Sequence, residues 1–201
     1  MGGFRFLAPV LLGAVLAGCG ATASGPPAGA PGAPVSAGGV SRSTEQGGKF
    51  VALVGPRVQH GEPFLGVPGT NVYALRSWMD ARTGEAVHQL YVADSYAGAE
   101  RNWDAARDAE GQPLRFVEIS KNEITCERGC SYADEFAASL PEQRLRDRSG
   151  GLTVRFTGRS GAEKTIAVPG DLVQRQLAAV DETRTALPTA TAAAAPPPPR
   201  Q

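Results

Sequence analysis

Two cysteines in the middle of the chain have the greatest potential for chemistry. Cys126 and Cys130 are separated by Glu127-Arg128-Gly129, so their sulfurs can approach if these three residues form a turn. Such a pair can form a structural disulfide, bind a metal ion or exchange disulfides with another protein. Disulfide exchange usually uses cysteines two residues apart at the start of a helix, and this pair differs from that pattern.

The other polar residues give little support for catalysis. The chain contains two histidines, His60 and His88, which leaves few ways to build a histidine-based mechanism. The sequence has no G-x-S-x-G, no H-E-x-x-H and no Walker-type glycine loop. Asp134 and Glu135 are adjacent, and neighbours in a strand point to opposite faces, so we interpret them as a solvated edge rather than a glycosidase pair. His88 is predicted to be a half-buried sheet residue, and no catalytic or metal-binding residue is predicted.

The N-terminal residues have the order of a secretory signal peptide. The positive charge of Arg5 precedes an apolar stretch that runs from Phe6 to Ala17. As a helix this stretch spans about 18 Å, well short of the roughly 30 Å hydrocarbon core of a bilayer. We therefore predict that residues 1–18 are a signal to be removed rather than a permanent membrane span.

The residues Leu16-Ala17-Gly18-Cys19 resemble the lipobox of bacterial prolipoproteins. In that family the cysteine receives diacylglycerol, the signal is cut before it, and the new amino terminus is acylated. The resemblance implies acyl chains on Cys19 and no other cofactor. Each buried methylene contributes about 0.8 kcal/mol, so such chains anchor a protein durably. Gly20 rather than aspartate follows, which by the same resemblance favours the outer membrane, with the domain facing the periplasm.

Export places Cys126 and Cys130 in an oxidising compartment, which favours a structural disulfide between them. The pair is predicted to flank a hairpin tip and to fix its turn. The spacing is also similar to the copper-binding motif of periplasmic copper-delivery lipoproteins. That family needs a later histidine ligand and a thioredoxin-like fold, whereas His60 and His88 both precede the cysteines. Metal binding and thiol exchange stay as the alternatives.

Composition divides the chain after the signal into three parts. Residues 19–48 are the lipidated cysteine and a Gly, Ala, Pro and Ser linker, which has too few large apolar groups to offset the entropy of ordering. Residues 49–181 hold the aromatic residues of the chain beyond its signal and are predicted to form one β-rich domain. Residues 182–201, which end in runs of alanine and proline, are predicted to be a disordered tail.

Period-two alternation of apolar and polar residues dominates the predicted domain. Residues 152–157 alternate in this way, and a turn at residues 158–161 connects them to residues 164–168 as a hairpin. Thr83-Gly84 is predicted to join two neighbouring strands. Further strands are predicted over 49–54, 71–79, 86–93, 114–119, 123–126 and 131–138, and a strand is favoured over a helix for 99–108.

Two short helices are predicted to interrupt the strands. Ser139 and Glu142 have the spacing of a capping box, and Gly150-Gly151 follows as a stop signal. Asp171 is predicted to cap a second helix. One face of that helix carries Val173, Leu177 and Val180. Together these elements predict a mainly β fold, an antiparallel β-sandwich or open barrel with two short helices, and an α+β fold is the alternative.

Charge and hairpin composition limit the classes of function. The formal net charge is zero and the arginines are scattered among acids, so no basic face for nucleic acid is predicted. The Cys126/Cys130 hairpin, followed by Tyr132 and Glu135, resembles bacterial lipoproteins of unknown function. That resemblance carries no activity to this chain.

We predict a non-enzymatic binding or assembly module of the cell envelope. Its partners are the membrane, through the lipid, and an envelope protein that contacts a sheet face or edge. Trp78 and Trp103 are the candidate contact residues, since exposed tryptophans are frequent anchors, with a core role as the alternative. The alternative function is a metal or thiol-redox accessory protein that uses Cys126 and Cys130, and a hydrolase of envelope polymers is a third.

Overall fold

The computed structural model describes residues 39–127 and 129–187. Residues 1–38, among them Cys19 and the predicted signal, and residues 188–201 lie outside these ranges. Each segment predicted as a strand contains strand residues, but the two strands predicted over 114–119 and 123–126 form one continuous strand from Phe116 to Thr125. In chain order the strands are β1 (Ser41–Glu45), β2 (Phe50–Val54), β3 (Val58–Gln59), β4 (Val72–Asp80), β5 (Ala86–Ala97), β6 (Trp103–Asp108), β7 (Pro113–Leu114), β8 (Phe116–Thr125), β9 (Ser131–Leu140), β10 (Gly151–Gly158) and β11 (Glu163–Pro169). The helices are α1 (Glu142–Asp147) and α2 (Gly170–Ala186).

Within the described residues the strands form two antiparallel sheets. The larger has seven strands in the order β1-β2-β4-β5-β9-β8, with β3 paired to β4. The smaller has four strands in the order β11-β10-β6-β7. Neither sheet closes on itself, and apolar side chains of both meet in one core. The prediction of a mainly β, antiparallel sandwich with two helices is therefore confirmed.

An aromatic cluster lies at the centre of the core between the sheets. Phe136 of β9 is 1% exposed, and its ring centre lies 4.9 Å from that of Phe156 in β10 and 5.2 Å from that of Trp103 in β6. Phe116 of β8 lies 5.8 Å from Phe136. Alternation puts these residues on the inner faces of both sheets, where aromatic pairs stabilise the packing beyond the area that they bury.

Helix α2 packs against strands of both sheets. It contacts β2 and β4 of the larger sheet and β10 and β11 of the smaller sheet. The three residues predicted for its apolar face, Val173, Leu177 and Val180, are all buried. A second apolar cluster joins α2 to Met79 of β4 and to Val40. In residues 39–127 and 129–187, neither helix combines the length and the hydrophobicity needed to span a bilayer.

Three hairpins were predicted from their turns, and all three are present. Gly84 in the β4–β5 turn has a φ of 74°, which favours glycine because it lacks a β-carbon. The Asp80 carboxylate accepts hydrogen bonds from the backbone amides of Arg82 and Thr83 in the same turn. At the β8–β9 hairpin, Cys126 and Cys130 form the predicted disulfide, with their Cα atoms 3.9 Å apart.

Strand β8 is an edge strand of unusual irregularity. Its register with β9 shifts twice, between Glu118 and Ser120 and between Glu123 and Thr125. Most of its residues are exposed. Its charged residues are Glu118, Lys121 and Glu123. The strand therefore follows the sheet without presenting a flat, regular edge.

The predicted helix caps are wrong. Ser139 belongs to β9, where it pairs with Gln89, and its hydroxyl accepts a hydrogen bond from Arg115 instead of capping a helix. Asp171 lies inside the first turn of α2 and pairs with Arg175 at 2.7 Å. Both helices begin directly after a proline, and neither cap position makes a side-chain hydrogen bond. Strand pairing extends to Leu140 and overrides the local capping pattern, so the helix starts later than predicted.

The folded part is longer at both ends than residues 49–181. Strand β1 lies inside the predicted linker and pairs with β2 along its whole length. Val40, directly before it, is 1% exposed and packs under α2. Helix α2 continues to Ala186, and Arg184 in its last turn donates to the carbonyl of Gly84. Backbone pairing and one buried valine order a segment whose composition alone predicts a linker.

Candidate functional site

The residues singled out from the sequence are not brought together by the fold. Cys126 is exposed and Cys130 half-buried, and their sulfurs are bonded to each other. Trp78 is half-buried in β4, and the guanidinium of Arg76 lies 5.2 Å from its ring centre. Trp103 is 6% exposed and belongs to the core, which is the alternative that the sequence left open. In the described residues, no group of three or more His, Cys, Asp and Glu side chains is placed to hold a metal ion.

A serine, a histidine and a glutamate form a chain of hydrogen bonds that the sequence did not predict. The hydroxyl of Ser77 lies 2.8 Å from Nδ1 of His88, and Nε2 of His88 lies 3.4 Å from a carboxylate oxygen of Glu142. The amide of Gln176 donates to the Ser77 hydroxyl at 2.8 Å. The serine proton therefore points to Nδ1, and the neutral imidazole carries its proton on Nε2, facing the carboxylate.

Ser77, His88 and Glu142 are the residue types of a catalytic triad, but the serine and the histidine are not accessible to a substrate. Ser77 is 0% exposed and His88 is 2% exposed, so no substrate carbonyl can reach the hydroxyl. Glu142 also accepts hydrogen bonds from Arg146 of its own helix and from Arg184 of α2, and the second of these ties α1 to α2. The arrangement therefore joins β4, β5 and both helices rather than performing catalysis. His88 is more deeply buried than predicted.

We expect the stability of the protein to fall as the pH is lowered from about 7 to 5. Burial lowers the pKa of His88, although the hydrogen bond to Glu142 opposes this, while the unfolded chain titrates near 6.5. As the pH falls, the unfolded state therefore binds this proton at a higher pH than the folded state does. The free energy of unfolding has its full value above the unfolded pKa, and it decreases as the pH falls toward the pKa of folded His88. Urea unfolding at several pH values should show a smaller pH dependence in His88→Asn than in the wild type.

The second histidine and Glu142 provide controls for this prediction. Burial also lowers the pKa of His60, so His60→Asn should remove a separate part of the same slope. Although burial opposes it, hydrogen bonds from Arg146, Arg184 and His88 lower the pKa of Glu142 to about 2. The contribution of Glu142 is present above its unfolded pKa and declines only at more acidic pH. An unchanged slope between pH 7 and 5 in the double histidine variant would contradict the prediction.

Two aspartates lie opposite each other on the inner face of the large sheet. Asp94 of β5 and Asp134 of β9 are register partners and are 1% and 4% exposed. Asp94 accepts from Arg101 at 2.6 Å and lies 3.0 Å from the ammonium of Lys164. The Tyr96 hydroxyl donates to Oδ2 of Asp134 at 2.7 Å. The interpretation of Asp134 as part of a solvated edge is therefore wrong, because this residue lies on the same face of β9 as the core residues Phe136 and Ala138.

Only one of the two carboxylate oxygens of Asp134 has a hydrogen-bond partner among the described residues. Its Oδ1 is buried without a partner among the described residues, and the same is true of the indole Nε1 of Trp103. Burial raises the pKa of Asp134 against the opposing hydrogen bond from Tyr96. Buried polar atoms in folded proteins are nearly always paired, so two unpaired ones of opposite type need an explanation.

Both of these side chains line the same small cavity between β6 and β8. The cavity measures about 10 Å³ and is also bounded by Phe116, Lys121 and Phe136. A larger pocket of about 370 Å³ shares Trp103, Phe116, Glu118 and Lys121 with it. The rim of the larger pocket adds Asn102, Asp104 and Arg159. We call the cavity and the pocket together the Trp103 cleft.

The cations at the Trp103 cleft are already paired with acids. Lys121 lies 2.5 Å from Glu100 and donates to the side-chain oxygen of Asn102 at 2.7 Å. Arg159 donates to Asp104 at 2.9 Å. The cleft therefore offers aromatic surface, paired charges and two unpaired buried polar atoms.

A larger groove lies beside α1 but offers less for recognition. It measures about 570 Å³ and has an apolar floor that includes Leu114, Leu145 and Leu152. Its rim charges pair with each other, as Arg144 does with Asp108 and Arg148 with Glu110. The buried unpaired polar atoms found in the described residues belong to none of the residues that line it. The Trp103 cleft is therefore the stronger candidate.

Comparison of the chain with protein-family models, with curated proteins and with solved structures finds no match in any of the three.

Proposed function

We propose that this chain is a lipid-anchored protein of the bacterial cell envelope whose β-sandwich is a non-enzymatic binding module with the Trp103 cleft as its ligand site. The anchor is the acylated Cys19 implied by the lipobox Leu16-Ala17-Gly18-Cys19, with the outer membrane, facing the periplasm, as the proposed location. Trp103 remains a site residue in this function. It would contact the ligand from inside the cleft and would not act as an exposed anchor.

One observation carries the assignment of the site. Trp103 and Asp134 line one cavity that adjoins a solvent-exposed pocket, and each has one buried polar atom without a partner in the described residues, the indole N–H donor and a carboxylate acceptor. Leaving such a group unpaired costs about 1 to 3 kcal/mol. A bound group that pairs with both atoms avoids this cost, so the two side chains are suited to hold a polar group of a ligand.

The geometry favours binding over catalysis. In the one described set of side chains with the composition of a nucleophilic triad, the nucleophile Ser77 and the base His88 are buried. The alternative role in metal or thiol-redox chemistry has less support, because Cys126 and Cys130 are joined and neither offers a free thiolate in this state.

A small-molecule screen by ligand-observed NMR on the full-length protein in detergent micelles tests the site. The library contains neutral, anionic and cationic compounds of pocket size. We expect binders that are displaced when Glu118, an exposed residue that lines the cleft, is replaced by tryptophan, because the bulky ring fills the opening. Glu85→Trp is the matched control at an exposed turn. The site assignment fails if no compound binds, or if Glu118→Trp binds as well as the wild type.

A further inference from the structure

The small cavity of the Trp103 cleft has room for one oxygen atom. Its volume of about 10 Å³ is close to the minimum that holds one water-sized group. The Nε1 of Trp103 can only donate a hydrogen bond, whereas the ionised Oδ1 of Asp134 can only accept one. A single group that pairs with both atoms must accept from the indole and donate to the carboxylate.

A hydroxyl group has these two properties in a single oxygen. An ionised phosphate or carboxylate oxygen accepts from the indole but has no hydrogen to donate to Asp134, and the negative charge of its group is repelled by the carboxylate. An ammonium group donates to Asp134 but cannot accept from the indole. A hydroxyl also pairs with Asp134 in its neutral form, which burial favours by raising the pKa, because the second lone pair of the hydroxyl accepts a hydrogen bond from the carboxyl O–H.

The outer pocket fits the remainder of a neutral, hydroxyl-rich molecule. At about 370 Å³ it lies near the lower limit of pockets that bind small molecules, about 300 Å³. Trp103 and Phe116 supply aromatic surface, and Asn102 and Asp104 supply planar polar groups at the rim. The pairing of Lys121 with Glu100 and of Arg159 with Asp104 leaves an anionic ligand without a ready counter-charge.

We infer that the Trp103 cleft binds a neutral carbohydrate, with one sugar hydroxyl seated between Nε1 of Trp103 and Oδ1 of Asp134. This inference rests on the proposed function and adds the chemical class of the ligand. In the absence of sugar, a water molecule has the same hydrogen-bonding chemistry and fills the same position. Sugar binding therefore exchanges one hydroxyl for another.

The two tryptophans of the chain make a direct test available. The full-length protein in micelles, labelled with ¹⁵N, gives one indole N–H resonance for each, and Trp78→Phe assigns them. The probes are methyl glycosides of neutral hexoses and N-acetylhexosamines, with tetrahydropyran, acetate and inorganic phosphate for comparison. We expect at least one glycoside to shift the Trp103 resonance saturably while the Trp78 resonance stays in place.

Removal of the donor measures its contribution. Trp103→Phe keeps the aromatic ring and loses the N–H, so we expect glycoside affinity to fall about tenfold, which corresponds to about 1.4 kcal/mol. Trp78→Phe should leave it unchanged. If Trp103→Phe fails to fold, the resonance shift in the wild type decides alone.

The outcomes separate this inference from the proposed function. The carbohydrate assignment is overturned if the glycosides bind without moving the Trp103 resonance, or if tetrahydropyran or the anions bind as tightly as the glycosides. If other library compounds bind in a manner sensitive to Glu118→Trp while no glycoside does, the ligand class is wrong and the binding site stands. If nothing binds and only water occupies the cavity, both fail.

Discussion

Replacing Asp94 by asparagine is expected to lower the free energy of unfolding by about 3 kcal/mol. The carboxylate is 1% exposed and faces two cations, Arg101 at 2.6 Å and Lys164 at 3.0 Å. Removal of one partner of a buried ion pair costs about 3 to 5 kcal/mol, because the remaining charge loses its compensation. The lower end applies here since both cations keep some contact with water. Thermal unfolding should show a decrease in Tm of roughly 10 °C.

An exposed ion pair of similar chemistry provides the control for Asp94. Asp104 accepts a hydrogen bond from Arg159, whose side chain is 80% exposed. Exposed pairs contribute about 0 to 1 kcal/mol, so Asp104→Asn should leave the Tm nearly unchanged. Equal effects of the two substitutions would mean that burial does not determine the strength of the Asp94 cluster.

Replacing Cys19 by serine is expected to move the protein almost entirely from the membrane fraction to the soluble fraction. The proposed anchor is attached through the cysteine thiol, and the described part of the chain has no helix able to span a bilayer. Each acyl methylene contributes about 0.8 kcal/mol to membrane binding, so loss of the chains removes the main attraction. Cell fractionation followed by immunoblotting measures the change, and metabolic labelling with a fatty-acid probe reports the acylation itself.

A second cysteine variant separates anchoring from folding. Cys126→Ser removes the disulfide but keeps the lipobox, so this variant should stay in the membrane fraction and keep its fatty-acid label. Persistence of Cys19→Ser in the membrane fraction would overturn the anchor, and with it the proposed location.

The alternation of apolar and polar residues predicts most of the sandwich because each strand has one face in the core. The hairpin from β10 to β11 follows directly from this pattern and its glycine turn. The same rule could have predicted the burial of Asp134, which lies on the same face of β9 as Phe136 and Ala138. Its charge and its acidic neighbour favour an exposed edge, whereas its position on the inward face of the strand correctly indicates burial.

The polar contacts of the interior could not be predicted from the sequence. His88 meets Glu142 across 54 residues, and Tyr96 meets Asp134 across 38. Such contacts depend on strand order and register, which many sequences with the same alternation can satisfy differently. The unpaired atoms of Trp103 and Asp134 are even harder to predict from the sequence, because only the packed structure shows which polar groups lack a partner.

The irregular edge formed by β8 matters for molecules that share one membrane surface. A lipid anchor would confine neighbouring copies to two dimensions, where collisions between sheet edges become frequent. A long, flat edge would then recruit the same edge of another copy and begin an aggregate. The two register shifts of β8 and its charges at Glu118, Lys121 and Glu123 oppose that pairing. They would allow the protein to crowd at high density and remain a set of separate molecules.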